Sequence, residues 1–188
     1  PGRRAWLPEP DLGGTGIWML NGNHQMSVAR MLFGEATRIY ARAVRSAQFQ
    51  SPLEATVVAL LEFESGATIT MTVSAELHGY KRFGDIVVFG TAGTLTANRR
   101  EGSPLEIYTE GTTEPPIVAC ADGERSGAPD HFVRQMAEFL AAVAEKRPPA
   151  TNGPSERATL AAILAGYESI RTGRAMTPER SGDMRRNS

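Results

Sequence analysis

The clearest chemical candidate in this sequence is a histidine set among amides, Asn21-Gly22-Asn23-His24-Gln25. These polar residues stand inside an otherwise apolar run, IWMLNGNHQMSVARMLFG, where a helix that only packed on a sheet would have little use for them. An imidazole titrates near neutrality, so it can give and take a proton without a large shift in pKa. The other reading is a satisfied structural histidine, and the local pattern leaves both open. His78 closes a β-rich segment beside Gly79-Tyr80-Lys81-Arg82, where it could line a rim or simply be solvated. His131 stands at a helix start beside Asp130, and capping and dipole effects account for that pair. The three histidines share no HxH or HxxxH spacing, and Cys120 is the only cysteine, so no metal site is expected.

Gly13-Gly14-Thr15-Gly16 precedes the His24 segment. Such glycines let backbone N–H groups approach a phosphate at a helix N-terminus. A dinucleotide loop would need glycine where Met19 stands, however, and the Gly-Lys-Ser/Thr of a nucleotide loop is missing. A tight connection, or a backbone passing close to a bound substrate, are the remaining readings. No Gly-x-Ser-x-Gly elbow occurs, and no histidine adjoins Cys120 in sequence, so nucleophilic hydrolysis has no support.

Twenty basic and twenty-one acidic residues leave a net charge of −1, and the arginine pairs are scattered. Neither nucleic acid nor a membrane is expected as a partner. No apolar run reaches the roughly 18 residues of a membrane span. A single cysteine fits a reducing, cytoplasmic setting. The start, Pro-Gly-Arg-Arg, carries no initiator Met and no signal peptide, which suggests a fragment or a processed chain.

The elements that must position these residues follow from periodicity. A helix is expected from Gly22 or Asn23 to the stop at Gly34, with Met26, Ala29, Arg30, Leu32 and Phe33 on its partly amphipathic pattern. The middle of the chain is strand territory. Ile69, Met71, Val73, Ala75 and Leu77 alternate with Thr68, Thr70, Thr72, Ser74 and Glu76, and Ser65-Gly66 joins this strand to ATVVALLEFE as a hairpin. Ala92-Gly93 marks another hairpin, and LEIYTE and PIVAC supply further strands. Two helices follow. The first starts after Pro129 or Asp130 and carries Phe132, Met136, Phe139, Leu140 and Val143 as one stripe. The second is capped by Ser155 or Asn152, carries Leu160, Ile163, Leu164, Tyr167 and Ile170, and stops at Gly173. Strands in one block with helices at the ends predict an α+β fold: an open antiparallel β-sheet with helices packed on one face.

Three stretches taken together resemble a known family. RAWLPEPDLGGTGIWMLNGNHQMSVARMLFG is similar to the opening of the substrate domain in the glucose–fructose oxidoreductase, inositol dehydrogenase and MocA (Gfo/Idh/MocA) family, with its Arg/Trp loop, Gly-Gly-x-Gly turn, Asp-x-Gly-x-His and a helix ending in Leu-x-Gly. VVFGTAGTLTAN resembles the family's hairpin around Gly-Thr-x-Gly-Thr-Leu. The segment from Phe132 to Met176 resembles its C-terminal helix pair, closed by Tyr-x-Ser-x-x-Thr-Gly. The resemblance implies a substrate-binding and oligomerisation domain over residues 1–175, with the Rossmann half of the family missing from these 188 residues, while the Arg- and Ser-rich, apolar-poor residues 176–188 read as a disordered tail.

It also implies roles. His24 falls on the family's catalytic histidine and Gly22 on the glycine before it, but the family's aspartate falls on Leu20 and a second frequent aspartate on Ser27. Leu20 cannot hold an imidazole's tautomer. The parent enzyme then uses His24 with a lysine of the other half, acts on an unusual substrate, or has lost activity. Arg4, Trp6, Asn21 and Asn23 would line the substrate, with His78 at the rim. The implied activity is hydride transfer between NAD or NADP and a sugar, polyol or cyclic diol, with the isolated chain inactive and a homo-oligomer formed through the sheet. The alternative is a non-catalytic interaction module of the same descent.

Overall fold

The computed structural model describes residues 9–47, 49–76, 86–97, 105–111 and 131–180. They fall into two compact units, one built from the chain up to Glu76 together with residues from Pro149 onward, the other from Leu77 to Pro148.

The first unit opens with a short helix, α1 (Pro10–Gly13). A π-helical turn, Trp18–Gly22, then runs directly into α2 (Asn23–Phe33). The helix therefore begins several residues before the expected Gly22 or Asn23. Gly34, at φ +84°, ends it where expected, its N–H bonded to the carbonyl of Arg30 at 3.0 Å.

Three antiparallel strands follow in the order β1 (Ala36–Val44), β2 (Thr56–Phe63) and β3 (Thr68–Ser74). The period-two reading of β3 holds: Met71 and Val73 are buried, while Thr68, Thr70 and Thr72 are exposed. β2 alternates in the same way, with Val57, Ala59, Leu61 and Phe63 inward. The hairpin around Ser65-Gly66 sets the register, pairing Leu61 with Ile69 and Val57 with Val73.

Helix α4 (Gly153–Thr172) covers the inner face of this sheet with α2. Asn152 is its cap, accepting the Ser155 N–H at 3.1 Å. The expected stripe is split. Ile163 is buried, but Leu160 and Leu164 face outward, and the packed side is made of Thr159, Ala162, Gly166 and Ser169. Small residues are needed there because Trp18 occupies the space. A Cβ on Gly166 would lie 2.5 Å from the indole Nε1.

The end of α4 seals the free edge of β1. Ser169 Oγ accepts the Ala41 N–H at 2.9 Å and donates to the Arg174 carbonyl at 2.6 Å. Gly173, left-handed at φ +69°, caps the helix, and Met176 exchanges two 2.8 Å backbone bonds with Ile39. Met176, the first residue of the expected tail, is thus paired to the sheet edge, and Arg180 meets Glu64 at 2.9 Å.

The second unit holds the antiparallel strands β4 (Ile86–Gly90), β5 (Gly93–Ala97) and β6 (Leu105–Tyr108), and helix α3 (His131–Ala144). The hairpin expected at Ala92-Gly93 is present, with Gly90 opposite Gly93. The α3 stripe of Phe132, Met136, Phe139, Leu140 and Val143 is exposed. The fold is α+β as expected. Its described strands form two three-stranded sheets rather than one ladder. The PIVAC strand and residues 181–188 lie outside the described residues.

Candidate functional site

The π-helical turn carries Asn21, and the first turn of α2 carries Asn23 and His24. Asn21 and His24 are exposed and Asn23 is half-buried. Asn23 Oδ1 is itself buried and has no hydrogen-bond partner. A buried acceptor left unpaired costs about 1–3 kcal/mol, so this one stands out in a helix whose other buried side chains are apolar. Leu20, at the position of the resembled family's aspartate, is half-buried and offers no charge. Ser27 reaches Glu156 Oε1 at 3.4 Å.

One cavity of about 420 Å³ is lined by Arg30, Glu35, Glu64, Ser155 and Arg180 among others; a second, of about 400 Å³, lies along residues 45–52. Neither includes His24. Arg4, Trp6 and His78 lie outside the described residues. Among the described residues no group of histidine, cysteine and carboxylates could hold a metal ion.

The Gly-rich loop does meet an anion, and it is the protein's own. Glu54, between β1 and β2, takes the first donors of the helix: its carbonyl accepts Ile17 N–H at 3.3 Å and its Oε1 accepts Trp18 N–H at 3.1 Å. Tyr167 of α4 donates its hydroxyl to the same Oε1 at 2.7 Å and accepts Met19 N–H at 3.3 Å. Burial first, then the bond to and charge of Glu54, push the Tyr167 hydroxyl well above its ordinary pKa, so it stays protonated. Gly16 is required because a Cβ there would fall 2.7 Å from the Glu54 backbone carbonyl oxygen and against its carboxylate. At this glycine the backbone passes close to a carboxylate. Sequence reasoning missed Glu54 and gave Tyr167 only an apolar role, because both partners are far from the helix in the chain.

These contacts also answer whether the chain could cradle a dinucleotide. The helix-start donors that would hold a pyrophosphate are already satisfied by Glu54 and Tyr167, and no strand–helix–strand unit occurs among the described residues. The fit is therefore poor for the phosphates of NAD. What the surface presents instead is an imidazole and two amides.

Comparison with known proteins places the family and the fold. A family model for the GFO/IDH/MocA C-terminal domain matches residues 1–96, about half of the chain. No curated protein matches. Among solved structures, an NAD binding oxidoreductase from Klebsiella pneumoniae is similar at 20% identity and a TM-score of 0.79, over 94% of this chain and 54% of its own. Levoglucosan dehydrogenase, in a complex with NADH and L-sorbose, matches at 15% identity and 0.80, over 94% and 53%. Aldose-aldose oxidoreductase from Caulobacter crescentus, complexed with glycerol, matches at 21% and 0.75, over 94% and 52%. The chain thus spans about half the length of these structures, and the likeness is one of fold.

Proposed function

Because this chain belongs to the GFO/IDH/MocA family, we propose that it is the substrate-binding and oligomerisation domain of an NAD- or NADP-dependent oxidoreductase acting on a sugar, polyol or cyclic diol in the cytoplasm. The observation that carries the reading is an exposed His24 beside the exposed amide of Asn21, at the start of one helix. A hydroxylated substrate suits both: one hydroxyl can donate to the exposed Asn21 amide oxygen while another exchanges its proton with the imidazole. The complexes of fold relatives with glycerol and L-sorbose support this substrate class.

In this reading the nicotinamide supplies the hydride chemistry, held by a unit outside this chain. His24 takes the proton from the carbinol oxygen during oxidation and returns it during reduction. Arg4, Trp6, Asn21 and Asn23 line the substrate side of the nicotinamide, and His78 adds to the rim. With Leu20 in place of a carboxylate, the imidazolium has no partner one turn away, and a lysine of the cofactor lobe shares its role.

The second reading, a non-catalytic oligomerisation module, draws on the outer face of the first sheet. Tyr40, Val44, Val58 and Leu60 lie there partly exposed among Thr70 and Thr72. A second copy stacked on this face would bury them.

The test is turnover of nicotinamide with a panel of polyols and aldoses, for the isolated chain and for the same chain joined to a dinucleotide-binding unit. The proposal expects none from the first and measurable hydride transfer from the second. A stable oligomer with no turnover in either form would favour the interaction module.

A further inference from the structure

The helix that carries His24 has an irregular start, and the irregularity is held from outside. Residues 18–22 make a π-helical turn, which accommodates one more residue than an α-turn would. At its first residue, Trp18 is buried with its indole N–H on the Ile163 carbonyl at 3.0 Å. Downstream, Met26 and Ala29 anchor α2 in the core. The extra residue is trapped between these anchors, with Asn21, Asn23 and His24 in or next to the wide turn. Moving an extra residue along a helix rotates the side chains it passes by about 100°.

Trp18 and Met19, the first residues of the turn, have their N–H groups bound by Glu54 Oε1 and the Tyr167 hydroxyl, and Ile17 just before them by the Glu54 carbonyl. Neither Ile17 nor Gly22 makes a side-chain cap of its own. We propose that Glu54 and Tyr167 are positioning residues for His24: they fix the register of the π-helical turn and so the direction in which the imidazole and its flanking amides are presented. The inference rests on the proposed function for its catalytic consequence, but not for its structural one. The phenol has to donate to Glu54 and accept from Met19 at once, which only a hydroxyl at this position can do.

The experiment uses the 188-residue chain. Tyr167→Phe removes both phenol bonds, and Glu54→Ala removes the carboxylate that faces the phenol and the Trp18 N–H. Each is expected to release the amides of Trp18 and Met19 to hydrogen exchange and to shift the NMR signals of the His24 ring. Glu54→Gln keeps an acceptor and should leave the ring signals near their original positions. Ser169→Ala, which also removes two bonds from α4 but at the β1 edge, is the control and should not move them. In the oxidoreductase that contains this chain, Tyr167→Phe should lower kcat by about tenfold or more, while Ser169→Ala should not.

His24 signals that stay in place while the Trp18 and Met19 amides lose protection would overturn the proposal. So would shifted signals with full turnover. Absence of turnover in the unmutated enzyme would count against the proposed function instead, and the ring signals would still decide the positioning role.

Discussion

Trp18 and Gly166 occupy one another's space: the indole lies so close to α4 that no side chain fits at the glycine. Gly166→Ala tests this contact. In an open helix the change would favour folding by about 1 kcal/mol. Here a methyl group would sit 2.5 Å from Nε1 of a fully buried, rigid ring. Overpacking of this kind costs about 1–3 kcal/mol and should win. Urea denaturation is expected to give a lower midpoint for the variant, and a midpoint at or above the original would show that the ring can move aside.

Asn152 is the cap of α4, and its amide nitrogen also reaches the Pro149 carbonyl at 3.0 Å. Asn152→Ala should cost about 1 kcal/mol, whereas Asn152→Asp should retain most of the stability because it keeps the acceptor for Ser155 N–H. Thermal unfolding of the pair reads the difference.

Arg30 and Glu35 tie the end of α2 to the strand that follows, with Nε 2.8 Å from Oε2. The hydrogen bond from Arg30 holds the Glu35 carboxyl below its ordinary value, assisted by the charges of Arg30 and Arg180 and opposed by burial. An unfolded glutamate takes up its proton near 4.5, while the folded one resists. This contribution is therefore complete above that pH and is lost as the pH falls through the lower, folded value. Glu35 is about half exposed, so the effect is small. The melting temperature of Glu35→Gln should lie below that of the unmutated chain at neutral pH, with the gap closing in acid. A gap that is constant with pH would place the effect elsewhere.

Asn23 separates stability from function. Its Oδ1 makes no bond that truncation could remove, and alanine is the better helix former. Asn23→Ala should melt at the same temperature or higher, yet raise KM for the polyol in the active enzyme. A lower melting temperature with unchanged KM would assign Asn23 a purely structural role.

What could be read from the sequence was local. The alternation of Thr and apolar residues in β3 placed Met71 and Val73 inward, and a glycine at 34 or 173 stops a helix by its own conformational freedom. The start of the His24 helix was not legible, because its donors are met by Glu54 and Tyr167, 36 and 148 residues from the amides they bind. The outward turn of Leu160 and Leu164 was hidden for a related reason. Apolar spacing says which residues could share a face, but Trp18, from the other end of the chain, decides that the packed face must be small. At the candidate site, the motif pointed to His24, whereas the orphaned oxygen of Asn23 is visible only in three dimensions.

The central claim is that His24 transfers the substrate proton. The direct measurement is kcat/KM for His24→Asn in the chain joined to a dinucleotide-binding unit, alongside its melting temperature. The ring is exposed, so stability should be unchanged, while the rate should fall by about 10²–10⁴-fold. A variant that turns over within about threefold of the original, an activation change of well under 1 kcal/mol, would contradict the account.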